Sequence, residues 1–530
     1  MEKQILLNQV GYPVAGRKTA VVRIHEKSDF SVYEENEPEK IVFRGELIGP
    51  QYVESSNESI YVADFSSLEK EGQYVLQIMK TGYKEAFSVG SGAYDFLKES
   101  CLKFFYLQRC GCPITKEFGG LHAHEKCHTQ LATIYGTDMK KEVCGGWHDA
   151  GDFGRYVDPA AVTIADLILA RKINNKAMDA ELNIPETCSK LPDVMAEIKY
   201  EIEWMLKMQD PATGMVYHKV SCAQFHGFAK PEEEKEELIL SPFSVTATAT
   251  FAAVMAMCAH AYEDDNETLS KDMMRAAVRA YKAMKKMDMP GGFTNPPDIQ
   301  TGEYGDANDT DERYWAAASL FHATGEQEYR KDFETLAKER IYHGYGWQDV
   351  GSFGNIAYIT ARFAKDEQLV NQIKKEMTDT ADTILMEVSS DPYGTGVKQY
   401  TWGSNYYVSQ RGNQLIDAYI LTKDEKYKAA ALEEIHYLLG RNPNGYCYVT
   451  GFGTTSPEHP HHRVSEAVKK AMPGMLVGGP DDGLHDPDAQ NYCKDKPPAQ
   501  CYMDVLGSYS TNEVTIYWNA AFIRLLVSVL

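Results

Sequence analysis

The sequence has no long apolar run. No stretch of its 530 residues approaches the roughly 20 consecutive apolar residues that a membrane-spanning helix needs. The opening residues, Met1 to Ile5, also lack the apolar core of a secretory signal peptide. We therefore expect a protein with no membrane partner and no export signal.

Positive charge is scarce. The chain has 54 Lys and Arg residues against 76 Asp and Glu residues, which gives a formal net charge of −22. Proteins that bind nucleic acid need a clustered basic face to neutralise phosphates, and this chain has no Lys/Arg run of that kind. The composition thus argues against a nucleic-acid partner.

The cysteines cannot all be paired, because there are eleven of them. Free thiols in that number suit a reducing cytoplasm better than an oxidising exterior. We therefore predict a cytoplasmic location. Secretion is the alternative if a signal peptide has been removed.

The length and the hydrophobic patterns predict two domains, because 530 residues exceed what one core usually supports. Short alternating runs fill the beginning of the chain, such as 72–78, which places Tyr74, Leu76 and Ile78 on one face. From Tyr94 onward the apolar period becomes helical, with about a dozen helices. We predict an all-β sandwich over 1–90 and an all-α domain over 91–530.

The run from Gly145 to Asp152 contains the most distinctive chemistry. Asp149 and Asp152 lie three residues apart and can hold one water molecule between them, while the glycines allow a ligand to approach the backbone. Glu513, far along the chain, is a candidate for the acid that protonates a leaving group. The alternatives are that either aspartate caps the next helix and that Glu513 is a first-turn acid of the last helix.

A cluster of thiols and imidazoles precedes and overlaps this run. Four such groups would suit tetrahedral zinc, although the spacing is not that of a standard zinc finger. A catalytic zinc is an alternative because His148 adjoins Asp149, and free cysteines with surface histidines are another. The candidates are Cys110, Cys112, His122, His124, Cys127, His128 and His148.

A third group of candidates lies in or near the stretch 441–510, which is rich in Gly, Pro, His and Asp and has no period. Loops of that length in a compact domain are functional or disordered. His461 and Arg463 can donate hydrogen bonds to hydroxyl groups, whereas the alternative is a structural loop. Trp402 is the best candidate among the tryptophans for a flat sugar-stacking surface.

Together these segments resemble glycoside hydrolase family 9, whose motifs they follow in order. The resemblance implies an (α/α)6 barrel for the second domain. The opening hexapeptide resembles the immunoglobulin-like domain that precedes the catalytic module in one branch of the family. The segments concerned are Leu7–Tyr12, Gly145–Asp152, Tyr448–Gly453, Pro460–Arg463, Leu476–Pro480 and Ser508–Val514.

The resemblance also implies catalytic roles. Asp152 matches the general base, Asp149 its partner in holding the water, and Glu513 the general acid. The family inverts the anomeric configuration, which requires acid and base carboxyls roughly 6.5–9.5 Å apart. We therefore expect surroundings that raise the pKa of Glu513, so that its carboxyl stays protonated.

Substrate-binding positions follow from the same comparison of motifs. The resemblance assigns sugar contacts to Trp402, His461, Arg463 and Tyr509.

Two metals are implied as well. The structural zinc ligands would be Cys110, Cys127, His128 and His148, which leaves Cys112, His122 and His124 outside the site. The family also binds calcium near an Asp-Glu pair that Asp311-Glu312 resembles. Gln348 stands where a further acidic calcium ligand is expected, so the resemblance to that site is incomplete.

These features predict an inverting β-1,4-glucan hydrolase that cleaves short cello-oligosaccharides, a cellodextrinase. A secreted endoglucanase acting on polymeric cellulose or related β-glucans is the second reading. A non-catalytic glycan-binding protein and a zinc-dependent hydrolase are readings from other classes.

Overall fold

The computed structural model describes residues 3–530; Met1 and Glu2, which open the predicted first domain, lie outside the described residues. The first eight strands are β1 (Ile5–Leu6), β2 (Thr19–Val22), β3 (Asp29–Glu34), β4 (Glu37–Glu46), β5 (Ile48–Val53), β6 (Glu58–Asp64), β7 (Gly72–Ile78) and β8 (Lys84–Val89). They form two four-stranded antiparallel sheets, ordered β1-β2-β6-β5 and β4-β3-β7-β8.

These two sheets enclose a core of their own. Tyr74, Leu76 and Ile78 on β7 are buried in it, which confirms the alternation predicted for this strand. Phe30 on β3 pairs in register with Ile78 and belongs to the same core. One face of each sheet is thus apolar and turned inward, as expected of a sandwich.

Helices dominate the rest of the chain. Their bounds are α1 (Asp95–Leu107), α2 (Lys116–Gly119), α3 (Val157–Ile173), α4 (Asn175–Met178), α5 (Asp193–Met208), α6 (Val245–Ala261), α7 (Glu267–Met284), α8 (Thr310–Thr324), α9 (Gln327–Glu339), α10 (Gly351–Thr360), α11 (Glu367–Ser390), α12 (Ser404–Thr422), α13 (Glu425–Leu438), α14 (Arg463–Ala467), α15 (Pro487–Tyr492), α16 (Tyr509–Asn512) and α17 (Ile516–Val529). Within residues 3–530, twelve of them have ten residues or more, as the periodicity predicts.

The long helices fall into two layers. Helix α3 packs on α17 and α6, α6 packs on α8, α8 on α10, and α12 on α17. Helices α7, α9, α11 and α13 pack against α6, α8, α12 and α12 respectively. Helices α3, α6 and α17 are buried along almost their whole length, whereas α7 and α9 bury one face. Helices α3, α6 and α17 therefore belong to the inner layer.

The two apolar stripes read from the sequence are both buried. Val194, Ile198, Ile202 and Met205 form a buried stripe on α5, as predicted. The stripe of Phe251, Val254, Met255 and Cys258 on α6 is buried as well, and so is almost all of the rest of that helix. Inner-layer helices have neighbours all round, so their sequences need no polar face.

The sandwich packs against α13 and the turn that follows it. Asn8 donates through Nδ2 to the Tyr94 hydroxyl at 2.9 Å and lies 2.9 Å from His436 Nδ1. The buried Arg441 guanidinium donates to Thr19 Oγ1 at 2.6 Å. The hexapeptide at the start of the chain thus supplies part of the contact between the two domains.

Seven short strands lie within the helical part: β9 (Ala132–Ile134), β10 (Lys140–Lys141), β11 (Arg155–Tyr156), β12 (Val216–Tyr217), β13 (Lys219–Ser221), β14 (Ile239–Leu240) and β15 (Phe243–Ser244). Five of them form a sheet ordered β10-β9-β14-β13-β11, in which Tyr156 lies opposite Lys219. In the described part of the chain, no helix is both long enough and apolar enough to cross a bilayer.

Candidate active site

The loop from Gly145 to Asp152 runs against α5 before α3 begins. Gly145 and Gly146 adopt φ angles of +110° and +80°, which residues with side chains rarely adopt. A Cβ on Gly146 would also lie 2.7 Å from Trp204 Cγ on α5. Both glycines are therefore required for the path that carries the two aspartates.

Neither aspartate caps a helix. Helix α3 has Tyr156 at its N-cap and no side-chain cap, so the capping alternative is wrong. Asp149 is buried and accepts a hydrogen bond from the Tyr304 hydroxyl on Oδ2, while its Oδ1 has no partner. Asp152 Oδ2 accepts from the Tyr156 hydroxyl at 2.9 Å and from the Gly154 amide at 3.2 Å.

Glu513 meets the same loop from the far end of the chain. It follows α16, and Thr515 caps α17, so the reading of Glu513 as a first-turn acid is wrong. The Ile516 amide donates to the Asp149 carbonyl at 2.8 Å, and the Gly151 amide faces the Glu513 carboxyl. The structure thus brings Asp149, Asp152 and Glu513 together.

Burial makes two of these carboxyls resist ionisation. Burial raises the pKa of Glu513 well above its ordinary value, and the nearby Asp152 charge adds to this, while Arg463 opposes it. Burial and then Asp152 likewise raise the pKa of Asp149, which the Tyr304 hydroxyl partly offsets. These surroundings therefore favour the protonated form of Glu513, as expected.

A row of rings borders the carboxylates. The His461 and Tyr509 rings lie 5.9 Å apart, and Tyr509 lies 5.2 Å from Trp402, which is 40% exposed. His461 Nδ1 donates to the Leu506 carbonyl at 2.7 Å, so its Nε2 is left as the acceptor of a neutral imidazole. Burial lowers the pKa of His461, which favours that neutral form.

Arg463 differs from the other candidate sugar contacts. Its guanidinium donates to two backbone carbonyls, those of Gly151 at 2.9 Å and His226 at 3.0 Å. It also lies near the exposed rings of Phe225 and Phe228. Arg463 therefore holds the aspartate loop in place, whatever else it binds.

The four predicted zinc ligands form one buried cluster. Cys110 Sγ lies 3.6 Å from His128 Nδ1 and 3.9 Å from Cys127 Sγ, and Cys127 Sγ lies 3.7 Å from His148 Nε2. Tetrahedral zinc with ordinary bond lengths would separate these ligand atoms by about 3.3–3.8 Å. The separations and the donor types therefore fit zinc.

The neighbouring candidates lie outside this cluster, as the resemblance implies. Cys112 is not part of it, and His122 and His124 pair with the backbone carbonyls of Lys470 and Glu125. Glu234, which the sequence did not single out, lies 2.8 Å from His128 Nε2. A carboxylate on the outer nitrogen of a ligating histidine fixes its orientation.

The acidic pair at the start of α8 is also buried. Neither carboxylate oxygen of Glu312 has a partner, and Asp311 accepts from the Val350 amide at 2.8 Å. Burial raises the pKa of Asp311 to about 7, and the charge of Asp349 contributes. Gln348 is exposed, so the acidic group near Asp311 comes from the next residue, Asp349.

Comparison with known proteins identifies the family. The model for glycosyl hydrolase family 9 matches residues 94–526, and that for the cellulase N-terminal immunoglobulin-like domain matches residues 1–82. The chain belongs to glycosyl hydrolase family 9. It is therefore a glycoside hydrolase of the cellulase type with an N-terminal immunoglobulin-like domain.

Individual relatives match over nearly the whole chain. A cellodextrinase from Butyrivibrio fibrisolvens is 34% identical over 100% of both chains. Endoglucanase D from Acetivibrio thermocellus is 34% identical over 98% of this chain and 82% of its own. The crystal structure of a thermostable endoglucanase from Alicyclobacillus acidocaldarius, a single mutant, has a TM-score of 0.94, 35% identity and 99% coverage of both chains.

Several residues of this family 9 site were missed by the sequence reasoning. Tyr304 and Tyr156 donate to the two aspartates. The only local signal for Tyr304 is its position between Gly302 and Gly305, which fits its φ of +45°. Tyr156 has no such signal.

Replacing Gly151 tests how closely the two halves of the site must approach. A Cβ at this position would lie 1.9 Å from the His461 carbonyl oxygen, so Gly151→Ala forces the two segments apart. We expect a loss of about 1–3 kcal/mol in unfolding free energy and a fall in kcat of about 10²-fold from displaced carboxyls. Denaturant unfolding and steady-state kinetics measure both.

Gly90→Ala is the matched control, because nothing lies within 4 Å of a Cβ built there. It should leave activity unchanged. Unchanged kinetics in Gly151→Ala would mean that the contact with His461 does not set the geometry of the site.

Proposed function

We propose that this chain is an inverting β-1,4-glucan hydrolase that cleaves cello-oligosaccharides, a cellodextrinase. The observation that carries the proposal is the meeting of Asp149, Asp152 and Glu513, whose surroundings differ. Glu513 has a raised pKa and serves as the general acid. Asp152 accepts hydrogen bonds from the Tyr156 hydroxyl and the Gly154 amide and serves as the general base.

Asp149 assists the base in this scheme. Its Oδ2 is bound to Tyr304, which leaves Oδ1 to form a hydrogen bond with the attacking water. Water held by Asp152 and Asp149 attacks the anomeric carbon while Glu513 protonates the leaving oxygen from the opposite side. Trp402 and Tyr509 supply flat ring faces on which sugar rings can stack, and His461 Nε2 supplies a hydrogen-bond acceptor.

The architecture proposed for this activity has two parts. The two layers of long helices support an (α/α)6 barrel over residues 91–530, with the sandwich occupying residues 1–90. We keep the cytoplasmic location as part of the proposal. A non-catalytic glycan-binding role would leave three converging carboxyls unexplained.

A short substrate is favoured by one comparison. A relative whose name is cellodextrinase is 34% identical to this chain over 555 aligned residues. Endoglucanase action on polymeric β-glucan is the second candidate, supported by the endoglucanase relatives and by the exposed face of Trp402.

Zinc is proposed as a structural metal. Cys110, Cys127, His128 and His148 would hold it, and four protein ligands leave no position for a reacting water. When bound, zinc would cross-link the loop that carries Asp149, since His148 is the preceding residue. This arrangement does not support a zinc-dependent hydrolase.

Calcium is proposed at the second acidic cluster. Glu312 has two buried carboxylate oxygens without partners, and Asp311 and Asp349 lie nearby. Hard oxygen donors of this kind suit calcium.

The catalytic assignment predicts the effects of two substitutions. Asp152→Asn and Glu513→Gln should each lower kcat by about 10²–10⁴-fold, because each removes a proton-transfer group. The first product anomer, followed by NMR, should be α from a β-linked substrate. Asp298→Asn, at an exposed carboxylate bound to Tyr135, is the control and should retain wild-type turnover.

The pH profile gives a further reading of the same assignment. Because the pKa of Glu513 is raised, the acid stays protonated, and activity persists, to a higher pH than an ordinary carboxyl allows. Activity then falls as pH rises through the raised value.

A β-anomer as first product, or near-normal turnover in either Asp152→Asn or Glu513→Gln, would refute these catalytic roles.

Product analysis tests the length of the substrate. We expect cellotriose to cellohexaose to be cleaved with a kcat/KM at least tenfold higher than carboxymethyl cellulose measured by reducing ends. Rapid loss of viscosity in carboxymethyl cellulose with slow cleavage of cellotriose would favour the endoglucanase instead.

Metal removal tests the zinc proposal. Purified enzyme should contain about one zinc per chain, and Cys127→Ser should lose it and melt several degrees lower, whereas the exposed Cys188→Ser should not. Metal analysis of the same sample also tests whether calcium is bound. Chelation that abolishes turnover without lowering the melting temperature would indicate a catalytic metal.

A further inference from the structure

Lys219 is a completely buried lysine next to the carboxylate cluster, and the proposed mechanism does not use it. It lies on β13 directly opposite Tyr156 on β11, with its Nζ 5.5 Å from the centre of the Tyr156 ring. That distance is within the range of a cation–π contact. Tyr156 in turn donates to Asp152 at 2.9 Å.

The ammonium group also holds the turn that presents the second tyrosine. Nζ donates to the Thr301 carbonyl at 3.0 Å, to Thr301 Oγ1 at 3.1 Å and to the Gly302 carbonyl at 2.6 Å. These three acceptors use all three donors of an ammonium. Two residues further on, Tyr304 donates to Asp149.

The two tyrosines and the turn also contact one another. The Tyr156 and Tyr304 rings lie 4.9 Å apart, and a Cβ built on Gly302 would lie 3.2 Å from the Tyr156 hydroxyl. One cation therefore lies over the Tyr156 ring and also holds the turn that leads to Tyr304. A neutral side chain of the same length would lose the hydrogen bonds and the attraction to the ring.

We propose that Lys219 is a positioning residue that orients Tyr156 and Tyr304, and through them the water-holding pair Asp152 and Asp149. Its charge also attracts the carboxylate of Asp152. This inference rests on the proposed function, since it assumes that Asp152 acts as the base.

The charged groups around Lys219 support this role. Burial lowers the pKa of Lys219 to about 7, while the charges of Asp152 and Glu303 raise it. The neighbouring His218 is buried as well, and burial lowers its pKa to about 3, so it is neutral. With a pKa of about 7, Lys219 carries its charge mainly below neutral pH.

Lys219→Met tests the proposal. We expect kcat to fall roughly tenfold, less than the about 10²–10³-fold cost of removing a direct hydrogen-bond donor, with KM nearly unchanged. The acidic limb of the pH–rate profile should move to higher pH, because the base loses a neighbouring cation. A purely structural role for Lys219 would not move that limb.

Lys141→Met is the matched control, because Lys141 lies 5.9 Å from the Tyr217 ring at another edge of the same small sheet. It should keep the wild-type pH profile. If Lys219→Met does not fold, Lys219→Gln removes the charge while keeping a donor for Thr301, and the same shift of the acidic limb is expected.

A double-mutant cycle with Tyr156→Phe separates positioning from general destabilisation. If Lys219 acts through Tyr156, Lys219→Met should cost less in the Tyr156→Phe background than in the wild type. If the two substitutions lower kcat independently, so that their factors multiply in the double mutant, and the acidic limb does not move, the inference is wrong. Asp152→Asn, measured in parallel, distinguishes a failure of this inference from a failure of the proposed function. Near-normal turnover in Asp152→Asn would refute the proposed function.

Discussion

The site depends on one close contact between two distant segments of backbone. Gly151 accepts hydrogen bonds from the Arg463 amide and guanidinium, and a side chain on it would collide with the His461 carbonyl. Its own amide faces the Glu513 carboxyl. Because backbone hydrogen bonds fix distances tightly, this contact sets the separation between the aspartate loop and the glutamate. A glycine is needed for that approach.

The contact gives the three similar acids different surroundings. Glu513 is brought against two other carboxyls in a site of low polarity, which disfavours its ionised form. Asp152 is compensated by Tyr156 and the Gly154 amide. Tyr304 compensates only one oxygen of Asp149. In the proposed mechanism, the hydrogen-bond donors around each carboxyl distinguish the general base from the general acid. Whether the carboxyl belongs to an aspartate or a glutamate does not.

Parts of the molecule outside the site hold this arrangement in place. Gln108, at the end of α1, donates to the carbonyls of His148 and Ala150 and lies 3.1 Å from His462 Nε2. It therefore connects the proposed zinc loop to the His461–Arg463 segment. Asn8 and Arg441 attach the sandwich to the helical domain.

The sequence by itself determined the family, the sandwich followed by helices, the one-sided face of α5 and the two segments that meet at the carboxylates. These follow from local patterns and from motifs whose order is visible in one chain. Only the tertiary structure decided that α6 is buried all round and that Tyr304, Glu234 and Lys219 join the site. Their roles depend on distances between segments tens to hundreds of residues apart, because tertiary packing, and not local periodicity, creates their contacts.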